Sequence, residues 1–281
     1  MPRVVLITLV RHGQTEANKS SIIQGQTDIP LNDHGRRQAE HAAQSLAATK
    51  VDAMYTSDLS RAHETASIIH RRLKQPCELI VDRRLRERSC GVFEGKPWGS
   101  ARKHAEALGI PHYEFRPEGG ENSADVRARV ATMLHDIVQN QAKVVHESLT
   151  HETASLHHVV VVSHGGLISD LLHYCRDHAL LDLNGHTVTI PLNTSLTTLV
   201  VQVPETADSS TRDFQELDGA AIVQHHNHDH HQQQHPHALP VHHHTHHEHR
   251  HWSVKIHRFN DVEHLRELEQ IVAPHNISDS I

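Results

Sequence analysis

The chain has 281 residues, is 37% hydrophobic and carries a formal charge of −7 with its 33 histidines neutral. It has no Lys/Arg block, so the electrostatic footprint of a dedicated nucleic-acid or membrane-surface binder is missing, and no run approaches the roughly 20 apolar residues of a membrane span. Three cysteines, Cys77, Cys90 and Cys175, lack paired spacing, which argues for a reducing compartment and an expected cytoplasmic location.

The N-terminal apolar run from Val4 to Val10 stops at Arg11 without a small-residue cleavage site, so it is read as a strand over 3 to 10 and not as a signal peptide. Ala39, Ala42, Ala43, Leu46 and Ala47 then recur at helical spacing, with a start signal at Asp33 and Gly35. A second strand is expected over 51 to 56, followed by a helix beginning near Ser57 or Asp58 and running to about Arg72. A third strand covers 78 to 82. After Ser123, a helix places Val126, Val130, Met133, Leu134, Ile137 and Val138 on one side, and residues 139 to 157 lengthen the connection into a fourth strand over 158 to 163. Residues 194 to 203 read as a strand, and 252 to 259 alternate through Trp252, Val254 and Ile256 as the second arm of a hairpin.

Short β-branched runs alternating with helical segments predict an α/β three-layer sandwich, with a mostly parallel central sheet, an antiparallel edge hairpin and helices on both faces. Between the hairpin arms, residues 225 to 251 carry fourteen of the 33 histidines with little that can form a core. The chain is therefore read as a single domain, 1–281, interrupted by a disordered insertion at about 205–251. Clusters such as His242-His243-His244 give that loop an expected adventitious affinity for divalent metals; no metal or other cofactor is assigned to the reaction.

The first strand runs directly into Arg11-His12-Gly13 and the fourth into Ser163-His164-Gly165-Gly166. Both histidines thus stand at carboxyl ends of parallel strands, where open α/β sheets bind ligands. Transferring a phosphoryl group requires several cations or N–H donors converging on one point. Arg11 offers a planar fork, and Arg61, early in the helix after the second strand, offers another. A neutral imidazole attacks phosphorus, which makes His12 the candidate nucleophile. Glu87, following the third strand, is the candidate proton donor to the leaving oxygen; the competing reading is a salt bridge with Arg86 or Arg88. Cys90 has no activating neighbours and is read as an inert thiol.

Arg11-His12-Gly13-Gln14-Thr15-Glu16-Ala17-Asn18 resembles the RHGxTxxN motif of the histidine phosphatase, or phosphoglycerate mutase-like, superfamily. The resemblance continues through Gln24-Gly25-Gln26, Ser57-Asp58-Leu59-Ser60-Arg61, Leu85-Arg86-Glu87 and Ser163-His164-Gly165-Gly166. It implies that His12 is phosphorylated, that Arg11, Asn18, Arg61 and His164 cradle the phosphate with Gln24, Gly25 and Gly165 at the substrate, that Glu87 handles the proton, and that no metal is needed. Within the superfamily, Ile22-Ile23-Gln24-Gly25-Gln26, Leu85-Arg86-Glu87-Arg88 and Pro117-Glu118-Gly119-Gly120-Glu121 are most similar to the fructose-2,6-bisphosphatase type. The mutase branch tends to carry Gly-Trp where this chain has Gly25-Gln26. The implied reaction is hydrolysis of a small phosphorylated metabolite such as fructose 2,6-bisphosphate, with Lys19, Arg86 and Arg88 as candidates for a second phosphate. A protein phosphatase or a phosphoglycerate mutase on the same fold, and a non-catalytic metal-binding or interaction protein, are the rival readings.

Overall fold

β1 (Arg3–Arg11) is apolar on both faces, as a strand covered from two sides must be: Val5, Ile7 and Leu9 enter one core and Val10 the other. The chain continues through a one-turn helix, α1 (Glu16–Lys19), then α2 (Asp33–Leu46), β2 (Ala53–Thr56), α3 (Ser60–Arg72) and β3 (Glu78–Val81). An excursion containing α4 (Ser100–Ala107) leads to α5 (Ser123–Ser148). β4 (Leu156–Ser163), α6 (Gly165–Asp177), a two-residue β5 (Leu181–Asp182), β6 (Leu196–Val203) and β7 (Ser253–Asp261) follow. The structure, a computed structural model, describes residues 3–148, 156–178, 180–182, 187–203 and 252–266. The insertion expected at about 205–251 lies outside the described residues, as does the remainder of the single domain expected to run to 281.

The seven strands are ordered β3-β2-β4-β1-β6-β7-β5. β3, β2, β4 and β1 pair in parallel, β6 runs antiparallel to both β1 and β7, and β5 is parallel to β7. The expected antiparallel pair is present, but the edge itself belongs to β5, a strand too short to leave a pattern in the sequence. On one face Ala39, Ala42, Ala43 and Leu46 of α2 and Ala62, Ala66 and Ile69 of α3 pack on Met54, Val160 and Val162. On the other, Val126, Val130, Met133 and Ile137 of α5 and Leu167, Leu171 and Leu172 of α6 pack on Ile7, Leu9, Val159 and Val161. The alternation of Val159–Val162 between these cores makes the three layers. Each fully buried Leu, Ile or Val contributes about 1.5–3 kcal/mol relative to exposure.

The strand ends shift by up to two residues from those read in the sequence, and two helix boundaries differ for identifiable reasons. α3 starts at Ser60, not at Ser57 or Asp58, because Ser57 Oγ accepts from Leu59 N at 3.2 Å and Ser60 N is capped by Asp28 Oδ1 at 2.7 Å. The capping group arrives from another loop, so local residues do not mark the start. α5 continues to Ser148 through much of the segment read as a connection.

Register sets the site. Arg11 pairs with Ser163, Thr56 with Val162, and His12 N donates to Ser163 O at 2.9 Å. The residues following β1, β2 and β4 therefore emerge side by side at the carboxyl edge.

Candidate active site

His12 and His164 are buried, with ring centroids 5.1 Å apart and planes tilted by 60°. His12 Nδ1 lies 2.7 Å from Gly13 O. A carbonyl can only accept, so Nδ1 carries the proton and Nε2 keeps its lone pair. Burial, reinforced by the charges of Arg61 and Arg11, holds the His12 imidazole well below the ordinary histidine range. Burial and then Arg61 do the same to His164, whose two ring nitrogens have no hydrogen-bond partner among the described residues. Both rings are neutral at pH 7.

Two guanidinium groups, from the half-buried Arg11 and the fully buried Arg61, face this pair. Arg11 Nη1 donates to Pro191 O at 2.7 Å, and burial lowers its pKa to about 10, partly offset by Glu87, so it remains charged. Arg61 donates to Thr27 O at 2.9 Å and Gly25 O at 2.7 Å, tying the loop before α2 to α3. The Nε of each is buried without a partner among the described residues. Gly25 has φ +51, and a Cβ there would run into the Glu94 carboxylate, so only glycine serves. Asn18 Oδ1 accepts from Thr15 N at 3.1 Å, which turns its amide nitrogen into the end open to an anion. Gln24 Oε1 accepts from Thr15 Oγ1 at 2.9 Å, so the side chain also braces the loop.

Glu87 stands at the N-terminus of α6. Its Oε2 accepts from Gly166 N at 2.9 Å, and its Oε1 accepts from Leu167 N at 3.0 Å and Arg88 N at 2.8 Å. The salt bridge with Arg86 or Arg88 is not formed: Arg86 is bound to Asp58 at 2.7 and 2.6 Å, and Arg88 approaches Asp170 at 3.8 Å. The two glycines permit the approach. A Cβ on Gly165 would lie 3.3 Å from Arg11 Nε, and one on Gly166 would lie 2.6 Å from Glu87 Oε1.

Of the three cations expected to meet a second phosphate, Arg86 is thus committed to Asp58, and Arg88 lies between Asp170 and Ser123 Oγ, 3.4 Å away. Lys19 is exposed and lines an open cleft with His34 and Arg37. Burial pushes the Cys90 thiol up to about 12, leaving it unreactive near neutrality. Two supporting residues escaped the sequence reading. Asn193 Nδ2 donates to His12 O at 2.9 Å, and Thr65 Oγ1 accepts from Gly13 N at 3.0 Å. Asn193 stands just before β6 in Pro191-Leu192-Asn193-Thr194, a polar turn directly before a strand, and that was its only signal.

A family model for the histidine phosphatase superfamily (branch 1) matches residues 7–207. The chain belongs to the histidine phosphatase superfamily. This histidine phosphatase is 33% identical over 205 residues to the probable fructose-2,6-bisphosphatase TIGAR A of Danio rerio, covering 72% of this chain and 80% of the relative. Fructose-2,6-bisphosphatase TIGAR of Mus musculus is 42% identical over 132 residues, which is 46% of this chain and 49%, about half, of the relative's length. The glucosyl-3-phosphoglycerate phosphatase of Mycolicibacterium vanbaalenii is 37% identical over 172 residues, 60% of this chain and 73% of the relative. A mycobacterial glucosyl-3-phosphoglycerate phosphatase solved with VO3 superposes with a TM-score of 0.54 at 30% identity, over 70% of this chain and 92% of that one. The enzyme is a phosphatase of this superfamily, with relatives named for two different substrates.

Among the described residues, no group of three or more His, Cys, Asp or Glu side chains is arranged to hold a metal ion, and no helix is long and apolar enough to cross a membrane. The metal affinity expected of the His-rich loop falls on residues outside those described.

Proposed function

We propose that the chain hydrolyses a small phosphomonoester through a phosphohistidine at His12. The observation that carries this reading is the Nδ1 bond to Gly13 O, which frees Nε2 of a neutral buried imidazole beside the buried Arg61 and the half-buried Arg11. In the first step the Nε2 lone pair forms the P–N bond, the ester P–O bond breaks, and Glu87 delivers a proton to the leaving oxygen. Arg11, Arg61, the Asn18 amide and His164 bind the three phosphoryl oxygens, and Gly165 admits the Arg11 fork. In the second step Glu87 takes a proton from water, whose oxygen attacks phosphorus. The P–N bond then breaks and inorganic phosphate leaves.

The preferred substrate is fructose 2,6-bisphosphate or a related sugar bisphosphate, on the strength of the TIGAR relatives and of an open cleft beside the catalytic loop that holds Lys19 and Arg37 as well as Glu16 and Asp33. In that cleft Asp33 is paired with Arg36 and the Glu16 carboxylate accepts from the Asn32 amide, and Lys19 and Arg37 are the cations placed to meet a second anionic group. The second reading is glucosyl-3-phosphoglycerate, favoured by the mycobacterial relatives. Phosphate release from fructose 2,6-bisphosphate, glucosyl-3-phosphoglycerate, bisphosphoglycerate and phosphopeptides tests it. A kcat/KM on the fructose bisphosphate at least tenfold above every other substrate is expected, and preference for a phosphopeptide would overturn the reading.

A further inference from the structure

Arg129 lies on α5, away from the strand ends that carry the catalytic motifs, yet its guanidinium surrounds the segment that bears Glu87. Nη1 donates to Arg84 O and Arg86 O, each at 2.7 Å, and Nη2 donates to Glu87 O at 3.1 Å. Nε and Nη2 donate to the two Glu121 oxygens at 2.9 and 3.0 Å. A guanidinium has five N–H donors, and these bonds use all five, so none is left for a substrate. Glu121 Oε2 also accepts from Ser89 N at 2.8 Å, and Glu121 N donates to Ser89 O at 2.8 Å. The ion pair therefore grips the chain on both sides of Glu87.

The segment needs this. After the 3-10 turn Arg83–Leu85 the chain runs extended at Arg86 and outside the sheet, so the carbonyls of Arg84, Arg86 and Glu87 have no ladder to satisfy them. The Glu87 carboxylate must nonetheless reach two amides at the start of α6, and a small rotation of this backbone would carry it away from them. We propose that Arg129 is the positioning residue of the proton donor, fixing the backbone from Arg84 to Ser89 through its planar fork and Glu121 so that Glu87 meets the leaving group. The proposal rests on the reading of Glu87 as the acid and base. Proximity agrees with it, since the charge of Arg129 is among the lesser causes, after burial, that hold His164 low.

Leaving-group dependence separates positioning of an acid from general loosening. Glu87→Gln, Arg129→Gln and their double variant are compared in the full chain by kcat/KM, which reports steps only as far as the phosphohistidine and so leaves out the shared hydrolysis in which Glu87 is the base, on the best sugar phosphate and on a nitrophenyl phosphate, whose leaving group needs little proton assistance. Glu87→Gln is expected to slow the sugar phosphate by about 100-fold or more and the aryl ester by less than about tenfold. Arg129→Gln is expected to show the same selectivity, and the double variant to be no slower than Glu87→Gln alone. Should Arg129→Gln fail to fold by circular dichroism, Arg129→Lys keeps the charge, loses the fork and must show the selective loss in its place. A selective Glu87→Gln beside an Arg129 variant that slows both esters equally, or neither, overturns the positioning role while leaving Glu87 intact. Equal slowing of both esters by Glu87→Gln overturns the acid assignment itself, and the proposal with it.

Discussion

His12 concentrates the chemistry in one ring. Its tautomer is set by its own neighbour's carbonyl and its neutrality by burial beside two arginines, so the nucleophile is ready at neutral pH and below. His12→Ala is expected to abolish an acid-labile phosphoenzyme and to lower kcat by at least about 100-fold, roughly 3 kcal/mol of barrier. Rapid acid-free quenching with labelled substrate detects the intermediate, and a variant that kept more than about a hundredth of the rate would exclude covalent catalysis at this ring. Because protonation disables Nε2 and the pKa is lowered, the acid limb of kcat/KM should lie below pH 6.5; a pH profile with that limb at or above 6.5 would contradict the burial argument. At this scale the sequence was informative wherever the determinants are contiguous: Arg11, His12 and Gly13 stand together, and Gly13 supplies the orienting carbonyl. Asn193, which holds His12 O, is 181 positions away and no local pattern announces it.

Among the elements, the first turn of α6 matters most. Gly166 lets Glu87 reach the helix N-terminus, and a Cβ at 2.6 Å from Oε1 must displace the carboxylate, which is the flexible partner. Gly166→Ala is therefore expected to lower kcat on a sugar phosphate about tenfold or more with little change in melting temperature; wild-type kinetics would show that this contact is dispensable. β6 and β7 carry a second prediction. Gln202 pairs with Ser253 and Val201 with Val254, so the strand ends already lie in hairpin register. Replacing residues 205 to 250 by a short Gly-Ser turn should leave the rate within about twofold and the melting temperature within a few degrees, since loop-closure entropy changes by only about 0.6 kcal/mol per doubling of length. Retention on a nickel column should be lost. Loss of activity, or metal-dependent activity confined to the intact chain, would assign the insertion a role in catalysis.

Across the molecule, buried neutral histidines link stability to pH. Burial holds His12 and His164 well below the ordinary value and takes His173 and His264 to about 4. Unfolded, each accepts a proton near pH 6.5; folded, His173 and His264 resist down to about pH 4, and His12 and His164 resist well below the ordinary histidine range. The unfolded state thus binds more protons across that window, and stability present at pH 7 declines as pH falls from 6.5 towards 4. His34, His112 and His158 are lowered by burial as well, so Asp170, whose carboxyl is raised by burial and which acts in the opposite sense, is outnumbered. Thermal melts from pH 7.5 to 4.5 should show a melting temperature that falls by several degrees below pH 6.5; a flat profile would mean the imidazoles protonate in place.

Layer order, strand polarity and the family were legible from residue order because they rest on periodicity and short motifs: Val159–Val162 alternates between two cores, and two strand ends each present a histidine followed by glycine. The folded chain alone revealed which donors and acceptors meet. Asp28 caps α3, Asp58 claims Arg86, and Arg129 with Glu121 grips the Glu87 segment, each across a gap that closes only when the sheet order brings distant loops to one edge. Hydrogen bonds form within about 3 Å whatever the separation along the chain. The side chains that carry the reaction are therefore written locally, and the contacts that aim them are decided in three dimensions.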